Sequence, residues 1–304
     1  MMKHRYDHVI DPNGGSAAAR LARMIAPGLR VLELGSGPGA VTRILHQKGC
    51  RVTAIDLDTE SLELCRSFCE RVIQADLTQE DSLQAVTGEH FDVIVMADIL
   101  EHLPNPKRIL DGLAPLLTNN GYVMLSLPNA SHLSVLACLL NGRFPYQDKG
   151  LLDATHLRFF GRKDIEQMLL ASGLLWQCWE TADLPPEQSE LRHYWLALSE
   201  ADRSVLLHRA VDGQVYQHVI KAYPSTETGQ IAKLQADLLE SSGKNSAQTR
   251  VIATLEAERN LQAEAIAALE TAVALERGLT AQILNSHSWR LTEPLRYLKR
   301  KLAP

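Results

Sequence analysis

The chain has 304 residues, 45% of them hydrophobic, enough to bury a sizeable core in one or two domains. Its formal net charge of −5 argues against a general nucleic-acid binder. Its five cysteines, at 50, 65, 69, 138 and 178, form neither a disulfide framework nor a zinc spacing. They are read as reduced thiols of an intracellular protein, with Cys65 and Cys69 one helical turn apart on a buried helix face. The opening MMKHRYDHVIDPNGG has no apolar signal core, and the longest apolar run, LSVLACLL (133–140), is far below the roughly 20 residues of a membrane span. The expected location is cytoplasmic, with any membrane contact peripheral.

In chain order, SAAARLARMIA (16–26) reads as a helix led by Ser16 that packs on a sheet. It and Tyr6 are placed to close over a ligand. Strand-length apolar runs follow at LRVLELG (29–35), RVTAID (51–56), ERVIQAD (70–76), FDVIVMA (91–97) and GYVMLSLP (121–128). Between them lie the helical patterns AVTRILHQKG (40–49), TESLELCRSFCE (59–70), a short QEDSLQAV (79–86) and NPKRILDGLAPLL (105–117). Continuous apolar strands separated by helices predict a parallel, doubly wound α/β sheet. Two further strands, LLWQCWET (174–181) and QVYQHVIKAY (214–223), flank a helix near SEADRSVLLHRA (199–210). Residues 228–284 then lack Pro and aromatics and are rich in Ala, Leu, Glu and Gln, the make-up of a long helix or an interrupted coiled coil through which two copies can associate. The expected domains are 1–224, a helical extension 225–284 and a basic tail 285–304.

VLELGSGPG (31–39) is a strand followed by a glycine-rich turn that opens a helix, where backbone N–H groups can meet an anionic ligand. Asp56 closes the second strand, where a carboxylate can accept both hydroxyls of an adenosine ribose. Gly35, Gly37 and Ala40 also satisfy the spacing of nicotinamide-dinucleotide proteins, so these residues alone leave two cofactor classes open. Glu33, ADL (75–77), FDVIVMADILEHLPNP (91–106) and LLTNNGYVMLSLPN (116–129) complete a set that resembles the class I S-adenosylmethionine-dependent methyltransferases over residues 29–129. The resemblance implies a Rossmann-like seven-stranded sheet whose last strand, QVYQHVIKAY, runs antiparallel, and S-adenosylmethionine as cofactor. It implies cofactor contacts by Glu33, Gly35, Ser36, Gly37, Gly39, Asp56, Leu57, Asp76, Leu77 and Asp98, with Asp76 and Leu77 at the adenine. TNNG (118–121) stands where the family has a hairpin turn before the fifth strand.

Asp98, Glu101 and His102 are close enough in sequence for a divalent-metal cluster, as in ubiquinone-type O-methyltransferases, but similar motifs serve metal-free enzymes. They are read here as a turn lining the cofactor, with no metal. LLDATHLRFFGRKDI (151–165) resembles a subgroup associated with bacterial surface-polysaccharide biosynthesis. It implies O-methylation of a glycan acceptor. Asp153, His156 and Arg158, packed between Leu and Phe, are read as an orienting carboxylate, the general base (His156) and a grip on a phosphate or carboxylate, or else as a hydrogen-bonded loop brace. His102 and His132 are weaker candidates for the base. The alternatives are a quinone-type O-methyltransferase acting on a small molecule, or a non-catalytic adaptor of a glycosyltransferase complex. In the tail SWRLTEPLRYLKRKL (288–302), Trp289, Leu291, Leu295, Leu298 and Leu302 form an apolar stripe beside Arg290, Arg296, Lys299, Arg300 and Lys301. Such a helix suits an anionic membrane face or a partner enzyme.

Overall fold

The computed structural model describes residues 9–226 and Leu234. Expectations for Tyr6, for the helical extension and for the basic tail lie outside the described residues.

Seven strands form one sheet: β1 Arg30–Leu34, β2 Arg51–Asp56, β3 Arg71–Gln74, β4 Phe91–Ala97, β5 Leu117–Pro128, β6 Leu174–Asp183 and β7 Val215–Pro224. Their order is β3-β2-β1-β4-β5-β7-β6. Pairings from β3 to β5 are parallel, and β7 is antiparallel to both β5 and β6, as the family resemblance implies. The helices are α1 Ala17–Arg23, α2 Ala40–Gln47, α3 Thr59–Cys65, α4 Pro106–Asp111, α5 Leu133–Leu140, α6 Arg162–Ala171, α7 Arg192–Ala197 and α8 Glu200–Arg209. Among the described residues, no helix is long and apolar enough to cross a membrane.

Strand alternation explains why the apolar runs are continuous. Val31, Val93, Val95, Tyr122, Met124 and Val219 point to one face, where α1 and α2 bury Leu21, Ile25, Ile44 and Leu45. Their strand neighbours Leu32, Leu34, Ile94, Met96, Leu125 and Ile220 point to the other, against Ile109 of α4 and Ile165 and Leu169 of α6. With both faces covered, a period-two polar pattern has no place to appear. Helix α1 starts where Ser16 Oγ accepts from the Ala19 N–H at 3.3 Å, and Ala17, Ala19, Leu21 and Ala22 pack on the sheet.

One local expectation changes and one is refined. TNNG doubles back tightly, so that a Cβ at Gly121 would stand 3.0 Å from the main-chain N and O of Thr118, but it does so inside β5, which pairs at Leu117 with Phe91 and again at Tyr122 opposite Val93. The excursion is a bulge within a longer strand, anchored where the Thr118 hydroxyl donates to Asp92 Oδ1 at 3.3 Å. QEDSLQAV forms only a single 3-10 turn, Gln84–Val86.

Gly39, expected at the cofactor, opens α2 instead, with φ +85°. A Cβ there would stand 2.5 Å from the Cβ of Cys65, itself fully buried with Ala54 and Leu62. The glycine therefore lets the first turn of α2 rest on the end of α3. Gly39→Ala should destabilise the protein by about 1–3 kcal/mol, from left-handed strain and the clash together, read as a lower urea midpoint with an unchanged slope.

Candidate active site

A cavity of about 720 Å³ opens at the carboxyl ends of β1, β2 and β4. Helical connections leave the sheet in opposite directions on either side of β1 and β4, and such a switch point leaves a crevice. Glu33, Gly35, Ser36 and Gly37 reach it from β1 and its turn, Asp56 and Leu57 from the end of β2, and Asp98 from the end of β4. Asp153 and His156 close it from the segment between α5 and α6, and Ile10 and Ala18 line it from the N-terminal side. Most of the expected site residues are thus brought together by the fold.

The cofactor side is a set of carboxylates with unequal support. Glu33 is 2% exposed, and its Oε2 accepts from the Thr42 hydroxyl at 2.7 Å. Burial pushes its pKa up to about 8; the Thr42 bond opposes the rise, and the Cys65 and Asp56 groups add to it. Asp56 is placed differently. Its Oδ2 accepts from the Gly37 N–H at 2.7 Å and its Oδ1 from the Asp58 N–H at 2.9 Å, so it stitches the glycine turn to the end of β2. A carboxylate has about four acceptor sites, which leaves capacity for a diol. Asp98 adopts φ +53°, a conformation that non-glycine residues rarely take. It is held there by its N–H to the Ser126 carbonyl at 3.1 Å, by the Ser126 hydroxyl on Oδ1 at 2.8 Å and by the Gln217 amide on Oδ2 at 2.9 Å. Strain fixed by bonds from β5 and β7 holds this carboxylate at the cavity wall.

On the opposite side, Glu101, His102 and His156 each offer a ligand atom within 4.8 Å of the others. Glu101 is 1% exposed and its Oε2 has no hydrogen-bond partner. Burial holds its pKa well above the usual carboxylate range, with Asp98 and Asp153 adding to the rise. The two imidazoles meet edge to face at 4.8 Å. His156 Nδ1 lies 3.3 Å from the Leu151 carbonyl, and His102 Nδ1 lies 3.2 Å from the Thr155 carbonyl. A carbonyl only accepts, so the His156 tautomer that fits carries a proton on Nδ1 and presents Nε2; His102 Nδ1 also lies 3.2 Å from the Thr155 hydroxyl, which can donate or accept.

Several expected roles shift. Asp153 is 3% exposed and lines the cavity beside His156, and its Oδ1 accepts from the Thr155 N–H and hydroxyl at 2.9 and 2.7 Å; the Leu151 carbonyl meets the His156 ring at Nδ1. Arg158 is exposed and is not among the cavity residues. Its guanidinium donates to the Pro104 carbonyl at 2.6 and 3.1 Å, and its N–H, with that of Leu157, donates to the Glu101 carbonyl. It therefore braces the loop. Nor do Asp76 and Leu77 line the cavity: Asp76 caps its own turn through the Thr78 N–H at 2.8 Å, and Leu77 is buried against Val86 and Phe91. His132 is fully buried as the cap of α5, with Nε2 2.8 Å from the Leu184 carbonyl. Tyr216, Gln217, Lys149 and Thr155 line the site without having been singled out. Their sequence context is an ordinary strand and an ordinary loop, which carries no sign of which side chains face a crevice.

A family model described as "Methyltransferase domain" matches residues 2–176, more than half of the chain. The chain belongs to this methyltransferase family. Its class I domain uses S-adenosylmethionine, and the nicotinamide alternative left open by the glycine spacing is thereby set aside. The methyltransferase is 29% identical over 161 residues to a ubiquinone biosynthesis O-methyltransferase of Psychrobacter arcticus, a match spanning 51% of this chain and 62% of that one. A protein of the same name from Xanthomonas campestris is 29% identical over 185 residues, covering 57% and 77%. A solved S-adenosylmethionine-dependent methyltransferase from Archaeoglobus fulgidus superposes with a TM-score of 0.46 at 19% identity, over 67% of this chain and 91% of that one.

The cavity fits this cofactor. A buried carboxyl with one hydroxyl donor can take an ammonium group, and the Asp56 carboxylate at the turn can take a ribose diol. The methyltransferase free of ligand keeps Glu33 protonated below about pH 8, whereas an ammonium favours the ionised form. Affinity for S-adenosylhomocysteine should therefore rise with pH from 6 to about 8 and then level off. Calorimetry at pH 7 in two buffers of different ionisation heat should show proton release on binding.

Proposed function

We propose that the methyltransferase methylates a phenolic hydroxyl of a small catechol-type acceptor, with Glu101, His102 and His156 as the acceptor-side machinery. The observation that carries this reading is the convergence of a buried, unpartnered carboxyl oxygen with two imidazoles whose Nδ1 atoms are held by carbonyls. The relatives named above, called ubiquinone biosynthesis O-methyltransferases, support a small-molecule acceptor rather than the glycan inferred from residues 151–165.

The same three residues fit a divalent cation. Imidazole and carboxylate are suitable donors, and a histidine that binds metal commonly donates its other N–H to a carbonyl. A cation held there would supply Lewis-acid polarisation of the acceptor oxygens. The chain's own residues do the rest. His156 would present Nε2 to such a cation, with the ring kept in that tautomer by the Leu151 carbonyl, and the phenolic proton passes to solvent as the oxygen attacks. Asp98, fixed from two strands, lines the same cavity. Because the attack on a sulfonium methyl is an in-line displacement, much of the rate comes from holding donor and acceptor at near-attack distance in a closed cavity.

With 3,4-dihydroxybenzoate as acceptor, chelation should abolish turnover and added magnesium or manganese should restore it. Glu101→Gln should lower kcat about 10- to 100-fold while S-adenosylhomocysteine affinity stays within about twofold. Turnover that resists chelation and tolerates Glu101→Gln would retire the cation site. His156→Gln should slow methyl transfer by about 100-fold or more without weakening cofactor binding.

A further inference from the structure

Residues 149–156 supply Lys149, Gly150, Asp153, Thr155 and His156 to the cavity from a segment with no helix or strand, only turns and one isolated bridge from Asp153 to Gln147. A loop can position catalytic groups only if something fixes it. Its far end is fixed by the N–H groups of Leu157 and Arg158 on the Glu101 carbonyl and by the Arg158 guanidinium on Pro104. Its near end is held by Glu190, a residue outside the cavity in the connection between β6 and α7. Glu190 Oε1 accepts from the Leu151 N–H at 2.8 Å, and its Oε2 accepts from the Tyr216 hydroxyl at 3.0 Å.

Gly150 has φ +102°, and a Cβ at that position would collide with the Glu190 carboxylate, so the main chain passes directly over the carboxylate. Leu151 then enters a small core with Val135, Cys138, Leu152 and Leu191, next to Tyr216. The Leu151 carbonyl is the same group that orients His156. Both polar groups of one peptide-bearing residue thus join the clamp to the imidazole: its N–H is fixed by Glu190 and its carbonyl fixes the ring.

We infer that Glu190 is a positioning residue for methyl transfer: it ties the 149–156 segment to β7 through Tyr216 and so sets the place of His156 over the cofactor cavity. The inference rests on reading this segment as the acceptor side. Glu190 touches neither cofactor nor acceptor, so its loss should change the rate and not cofactor affinity.

Glu190→Ala should lower kcat for 3,4-dihydroxybenzoate about tenfold or more, leave S-adenosylhomocysteine affinity within about twofold, and speed amide hydrogen exchange over 149–156. Glu190→Gln should recover most of both, because its amide can still accept from the Leu151 N–H and donate to the Tyr216 oxygen. Recovery by the conservative variant separates positioning from loss of fold. Unchanged exchange in Glu190→Ala would overturn the clamp, and faster exchange with unchanged kcat would overturn the positioning role. If the unaltered enzyme methylates no catechol, the acceptor reading fails on its own, and the exchange result alone decides whether Glu190 holds the loop.

Discussion

Two buried carboxyl groups, Glu33 and Glu101, face one cavity with few donors to their side chains, the Thr42 hydroxyl on Glu33 and a main-chain N–H on Glu101. Ionising either one there costs free energy that the protein's own hydrogen bonds do not offset, so both are pushed toward the neutral form. Such an arrangement is costly to keep unless a ligand repays it. On the cofactor side the ligand that fits is the ammonium of S-adenosylmethionine; on the acceptor side it is a cation or an acidic hydroxyl.

The fold brings these groups together by strand order. Because β1 lies between β2 and β4, the residues that end those strands, Glu33 to Gly37, Asp56 and Asp98, are neighbours although they are far apart in sequence. Asp56 then locks the glycine turn through the Gly37 N–H, and the antiparallel β7 brings Gln217 against Asp98 and Tyr216 against Glu190. The reversed strand thus serves the site as well as joining β5 to the edge strand β6. The acceptor wall is less regular and depends on hydrogen bonds at both of its ends, to Glu101 and Pro104 at one and to Glu190 at the other.

The sheet and the cofactor wall were legible in the sequence because each depends on local signals. Apolar runs bounded by helical patterns located all seven strands, and the residues that close β1, β2 and β4 follow directly from where those strands end. Gly39, Asp76 and Leu77 belong to the same motifs, yet their surroundings were not legible: contact with Cys65 or burial against Phe91 depends on packing between elements. Arg158 shows the same limit. An arginine between apolar residues suggests an anion grip, but a carbonyl 54 positions away took its guanidinium. Glu101 was visible as a candidate ligand, whereas its orphaned oxygen and its meeting with His156 required the loop to fold back. Glu190 had no sequence signal, since its role lies in two bonds to distant partners.

The claim that Glu33 is buried to receive the charged end of the cofactor is open to a direct comparison of two ligands. S-adenosylhomocysteine carries the ammonium, and methylthioadenosine keeps the nucleoside and sulfur but lacks it. Titrated into the unaltered protein and into Glu33→Gln, the first should lose about tenfold or more in affinity and the second should be nearly unchanged, as expected for one charge-assisted bond. Equal losses for both ligands, or no loss for either, would contradict the account.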